Sequence, residues 1–65
     1  MMNKLQTEQL DRLATYIRTF VGPQDWEGHI HACSGYAAAM LELKEMEVMK
    51  TLRSALEENY TPSLF

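Results

Sequence analysis

Apolar residues recur at three- and four-residue intervals early in the chain, at Leu10, Leu13, Ile17 and Phe20, with Ala14 and Val21 flanking them. Gln9, Thr15 and Thr19 occupy the other side, so the pattern predicts an amphipathic helix over about residues 3–20. Asn3 followed by Gln6 has the form of a capping box, with Thr7 an alternative start, and Glu8 and Arg12 make a favourable pair one turn apart. Val21-Gly22-Pro23-Gln24-Asp25 interrupts this pattern. Gly22 can take the positive φ that ends a helix, Pro23 resists continuation but suits a first turn, and Asp25 stands where a carboxylate caps or favours a helix start.

A second helical pattern covers about residues 25–59, rich in Ala, Leu, Met, Glu and Lys and free of proline until Pro62. Gly28 and Gly35 each cost about 1 kcal/mol against alanine in a helix, and a break near Ser34-Gly35 would turn the chain into a three-helix domain. On a helical wheel Ile30, Ala37, Leu41, Val48, Leu52 and Ala55 share one face, with Trp26 and Cys33 beside it. Gly28, Ala32, Gly35 and Ala39, all small, lie roughly opposite, and Tyr36, Met40 and Leu43 fall between. The expectation is one all-α domain: an antiparallel helical hairpin with a short first helix, a turn at 21–25, a long second helix and an extended tail over 60–65.

Helix lengths then matter. At about 1.5 Å per residue the first helix extends about 27 Å and the second about 54 Å, so the first covers the second only from Trp26 to Leu43 or so. Val48, Met49, Leu52, Ala55 and Leu56 are left without an intrachain partner, and each large side chain forgoes roughly 1.5–3 kcal/mol of burial. The pattern therefore predicts an oligomer, a dimer first, or attachment to a larger protein complex. Its interface would comprise the small stripe Gly28, Ala32, Gly35 and Ala39, which permits close backbone approach, and the far stripe Val48, Leu52, Ala55 and Leu56.

Composition sharpens this. Sixty-five residues form one domain at a size where a single core is marginal, and Cys33, the only cysteine, cannot make an intrachain disulfide. The formal charge is −3 and the six basic residues are scattered among glutamates, which disfavours direct binding of nucleic acid. The longest apolar run, Tyr36 to Leu41, is too short to span a bilayer, and the first residues lack the apolar stretch of a signal peptide. A cytoplasmic protein without membrane contact is the expectation.

Candidate chemistry is sparse. His29 and Cys33 are four apart and would share a helix face, but a zinc site needs three or four ligands and His31 points elsewhere. A Cys–His nucleophilic pair would further need an orienting group, oxyanion donors and a pocket. No catalytic, cofactor or metal residue is therefore assigned. Trp26 reads as a plug at the end of the hairpin against Phe20 and Ile30, or as an exposed interface anchor. Met40, Met46 and Met49 suit core filling or an adaptable binding surface.

Pro62 ends the helix and Leu64 and Phe65 place two large apolar groups in the tail, either folded back onto a subunit or serving as a docking peptide. Ser63-Leu64-Phe65 resembles the end of the sliding-clamp-binding peptide of bacterial polymerases, without the glutamine that begins that motif. Over residues 16–56, the order Tyr16-Ile17-Arg18-Thr19-Phe20, then Asp25-Trp26, then Gly35-Tyr36-Ala37-Ala38-Ala39-Met40 resembles small helical proteins encoded by tailed bacteriophages. That resemblance implies a small accessory protein, in the virion or in the host cytoplasm. Two readings follow: a structural or assembly protein that self-associates or joins a larger complex, and an inhibitor or adaptor that binds a host protein through a helical face or the tail.

Overall fold

The computed structural model describes residues 2–58, which form three α-helices: α1 (Lys4–Phe20), α2 (Trp26–Leu41) and α3 (Glu45–Glu58). Among the described residues there is no strand.

The start of α1 is the capping box that Asn3 and Gln6 announce. The Gln6 backbone N–H donates to Asn3 Oδ1 at 2.8 Å, and the Asn3 N–H donates to Gln6 Oε1 at 2.8 Å. Leu10, Ala14 and Ile17 form its buried stripe. The stop after Phe20 differs from expectation. Gly22 has φ −66° and ψ 148°, an extended conformation of the kind proline imposes on the residue before it, so no left-handed glycine is used. Val21 is also extended, and a single turn of 3₁₀ helix over Pro23–Asp25 leads straight into α2. Asp25 makes no side-chain cap. Trp26 holds the corner instead: half-buried on the core, its Nε1–H donates to the Val21 carbonyl at 2.9 Å, while Phe20 lies exposed.

α2 runs unbroken through Ser34-Gly35. The fully buried Ser34 hydroxyl donates to the Ile30 carbonyl one turn back, which removes the cost of an unpaired polar group. A Cβ at Gly35 would lie 2.9 Å from Glu45 Oε2 of α3, the end of a flexible, exposed side chain that can move aside.

The expected single helix over about 25–59 is divided, seven residues beyond Gly35, where a break was conceivable. Glu42 adopts the left-handed conformation (φ 58°, ψ 45°), the only non-glycine among the described residues with positive φ. The Leu43 N–H then reaches back to the Ala38 carbonyl at 2.9 Å, the six-to-one bond of a Schellman ending. From α1, Gln6 Nε2 donates to the Leu41 carbonyl at 2.7 Å and satisfies an acceptor the helix end leaves open. One side-chain amide thereby closes the α1 cap and the end of α2.

α3 consequently folds back along α2, Glu45 lying beside Gly35 and Arg53 reaching Glu27. Val48 and Leu52 are 0% exposed and Leu56 1%, in one cluster with Leu10, Ala14, Ile17, Ile30 and Ala38, and Ala55 is half-buried against it. The far stripe expected to await a second chain is therefore covered from within. A left-handed non-glycine residue costs roughly 1–2 kcal/mol, whereas burying three large aliphatic side chains gains roughly 1.5–3 kcal/mol each. Burial wins.

Two outcomes test this balance. Leu52→Ala is expected to lower the unfolding free energy by about 2–5 kcal/mol in urea titration, against no more than about 0.5 kcal/mol for the exposed Met46→Ala. Glu42→Gly, which relieves the left-handed turn, is expected to raise stability of the three-helix chain by about 1 kcal/mol.

Candidate protein-binding face

α1 and α2 each pack more extensively on α3 than on each other. Where they diverge, on the side away from α3, lies an open apolar groove of about 590 Å³. Leu5, Leu10 and Leu13 line its α1 wall and Cys33, Ala37 and Met40 much of its α2 wall. The α2 edge turned to α1 carries small residues at Cys33 and Ala37, too short to fill the gap.

Large apolar side chains stand in the open along α1 and α2, and Leu5, Tyr36 and Met40 among them line this groove. Leu5 and Tyr16 are exposed, as are Phe20 at 72%, Tyr36 at 73% and Met40 at 64%. On α1 the spacing Leu5, Gln9, Arg12, Tyr16, Phe20 follows one flank of the helix beside its buried stripe, and the Tyr16 and Phe20 rings pack with centroids 5.0 Å apart. On α2, Tyr36 and Met40 stand one turn apart. The groove lining is apolar apart from Gln9 and Arg12, and an apolar patch of this kind marks an interaction site more readily than scattered single residues do.

The residues singled out from the sequence separate into groups. Gly28, Ala32 and Ala39 are exposed on α2, and no atom comes within 4 Å of a Cβ built on Gly28. Gly35 lies under the Glu45 carboxylate. Val48, Leu52 and Leu56 are core, and Ala55 packs against them. Leu64 and Phe65, with the Ser63-Leu64-Phe65 resemblance, lie outside the described residues. Phe20, expected on the α1 stripe with Leu10, Leu13 and Ile17, instead lies 72% exposed on the flank with Leu5 and Tyr16, which the stripe does not include. Tyr36 and Met40 were noticed, in the sector between the two faces of the second helix.

Charge is distributed unevenly. Among the described residues, Arg12 is the one lining the groove that is charged at neutral pH. The carboxylates cluster elsewhere: Glu27 forks to Arg53, accepting from Nε at 3.1 Å and from Nη2, and lies 3.7 Å from His31 Nε2, while Glu45, Glu47, Glu57 and Glu58 belong to α3. His31 thus faces Glu27, and His29 is exposed. No group of three or more His, Cys, Asp or Glu is placed to hold a metal among the described residues. No helix of the described residues is long and apolar enough to cross a membrane. Cys33 is half-buried in the groove, and burial pushes its thiol above the usual value, which keeps it protonated and a poor nucleophile near neutral pH.

The hydrogen bond from Arg53 holds the Glu27 carboxyl below its ordinary value of 4.5. A depressed folded value contributes stability above the unfolded value, lost as pH falls through the folded one, so this contribution disappears below about pH 4.5. Both side chains are exposed, and solvent screening keeps the effect small. Carboxyl-detected NMR titration is expected to show a Glu27 midpoint that rises in Arg53→Ala; an unmoved midpoint would remove Arg53 as its cause.

Compared with protein-family models, with curated proteins and with solved structures, the chain matches none of them.

Proposed function

We propose that this chain is a non-enzymatic structural or assembly protein that acts by helix-mediated association, a second copy packing on the face formed by α1 and α2. The observation that carries this reading is the apolar surface left once the chain's own core is complete: Leu5, Tyr36 and Met40 at an open groove, with Tyr16 and Phe20 exposed further along α1. Burying such side chains between two chains gains free energy by the same effect that closes the core.

Charge favours a second copy as the occupant. The chain carries a net charge of −3, so association through α3 would bring Glu45, Glu47, Glu57 and Glu58 of two copies together. Among the described residues the groove has no carboxylate in its lining, and its faces can meet with little like-charge repulsion. Gln6 bonds to Leu41 near one end of the α1–α2 pair and Trp26 to Val21 near the other, which supports reading the pair as a hairpin. Two such hairpins related by a two-fold axis make a four-helix contact, with Tyr36 of each positioned to enter the other's groove. The lining residues include no general base, and the thiol among them is unactivated.

The phage-accessory setting rests on the resemblance over residues 16–56; self-association is argued without it. The alternative reading, an inhibitor or adaptor, would place an amphipathic helix of a host protein in the same groove.

Light scattering across a dilution series tests the proposal. The wild-type chain is expected to form a concentration-dependent dimer that Tyr36→Asp weakens by about 10- to 100-fold. Because Tyr36 is 73% exposed, the variant is expected to keep its fold and thermal midpoint. Alkylation of Cys33 should slow as the dimer forms. A well-folded chain that stays monomeric would refute self-association and leave the adaptor reading, and a dimer indifferent to Tyr36→Asp would refute this face.

A further inference from the structure

We propose that Glu42-Leu43-Lys44 is a hinge through which two copies exchange α3, with α2 and α3 joining into one continuous helix. The proposal rests on the self-association reading above but uses a different surface, the core of the molecule itself.

Four observations converge on the hinge. Its residues are all good helix formers, with neither glycine nor proline, so nothing in its composition requires a turn. Glu42 nevertheless occupies the left-handed region, where glycine is the favoured residue. Lys44, just before α3, has no side-chain acceptor with which to cap the open N–H groups of the first turn. Straightening the chain would return those N–H groups to the carbonyls of residues 40–43, the Glu45 N–H taking the Leu41 carbonyl that Gln6 now holds.

The decisive observation is phase. The buried residues of α2 are Ile30, Ser34 and Ala38, and those of α3 are Val48, Leu52 and Leu56. Each member of one set lies eighteen residues from its counterpart in the other, which is five full turns of an α-helix. A turn between helices has no need to preserve phase. Here the phase is kept, so a straight helix of about 50 Å carries both buried sets as one stripe.

Two such straight helices fit together in the register already present. Within one chain Glu27 meets Arg53 and Gly35 meets Glu45, an antiparallel arrangement of α2 and α3. If α3 comes from a second copy, the same pairs form between chains about a two-fold axis near residue 40. Val48, Leu52 and Leu56 then fill the same core beside Leu10, Ile17 and Ile30 of the partner copy. Each copy loses only the turn and the Gln6 to Leu41 bond, and both buried stripes stay covered. Short, strained connections invite this exchange.

The test uses the full chain. Isotope-labelled and unlabelled chains are unfolded together, refolded at high concentration, and the dimer fraction is examined by filtered NOE spectroscopy. Methyl contacts from Val48 and Leu52 to Leu10, Ile17 and Ile30 are expected between chains. A dimer showing those contacts only within a chain overturns the exchange and leaves association through the outer face standing. Glu42→Gly favours the turn and disfavours the straight helix in both copies, and is expected to weaken the exchanged dimer by about a hundredfold. Tyr36→Asp, on the outer face, is expected to leave those interchain contacts intact in the dimer trapped by refolding, while it weakens association of chains that were never unfolded. A dimer retained in Glu42→Gly but lost in Tyr36→Asp would overturn the exchange while supporting the outer face.

Discussion

The rest of this structure depends on the return of α3, which is a contest between backbone preference and side-chain burial. Residues 42–44 favour helix, and an uninterrupted helix would leave Val48, Leu52 and Leu56 in water unless a second chain covered them. Turning back costs one left-handed residue and one helix end without a good cap, and it completes a core with α1 and α2. Every other feature follows from that exchange. Glu45 comes to lie beside Gly35, Gln6 closes the carbonyl that the turn exposes, and Arg53 finds Glu27 at the other end.

The return also decides what stays outside. Because α3 takes the stripes of both α1 and α2, those two helices meet each other only weakly and leave a groove on their far side. α2 is apolar on several sides, so a single partner helix cannot cover it. Tyr36 and Met40 remain in solvent with Leu5, Tyr16 and Phe20, and a small chain that leaves this much apolar surface open has a strong drive to associate. The proposed outer-face contact and the proposed exchange of α3 have one origin: the chain has more apolar helix surface than three short helices can hide.

How much of this was legible follows the range over which each interaction acts. The cap at Asn3 and Gln6, the corner at Val21 to Asp25 and the buried stripe Leu10, Ala14 and Ile17 are set within a turn or two of chain, and spacing reveals them. The stop at Glu42 carries no such local mark. Glu, Leu and Lys there argue for helix, and the weight against them comes from side chains about two to four turns away in sequence whose partners are on α1 and α2. Ser34-Gly35 shows the converse, since two residues that locally argue for a break stay helical where Ser34 is fully buried in the core with its hydroxyl satisfied by the Ile30 carbonyl.

Determined by the sequence alone were the all-helical class, the first helix with its cap, and the fact that the second half of the chain carries one in-phase apolar stripe, since periodicity and capping are local properties of the backbone. Only the tertiary structure decided whether that stripe runs straight or doubles back, because the answer turns on a difference of a few kcal/mol between long-range burial and local helix preference. It decided the candidate site as well. Val48, Leu52 and Leu56 changed from an exposed face to a core, and Leu5, Tyr16, Phe20, Tyr36 and Met40 became the surface on offer, because which face of a helix remains open depends on where its neighbours lie.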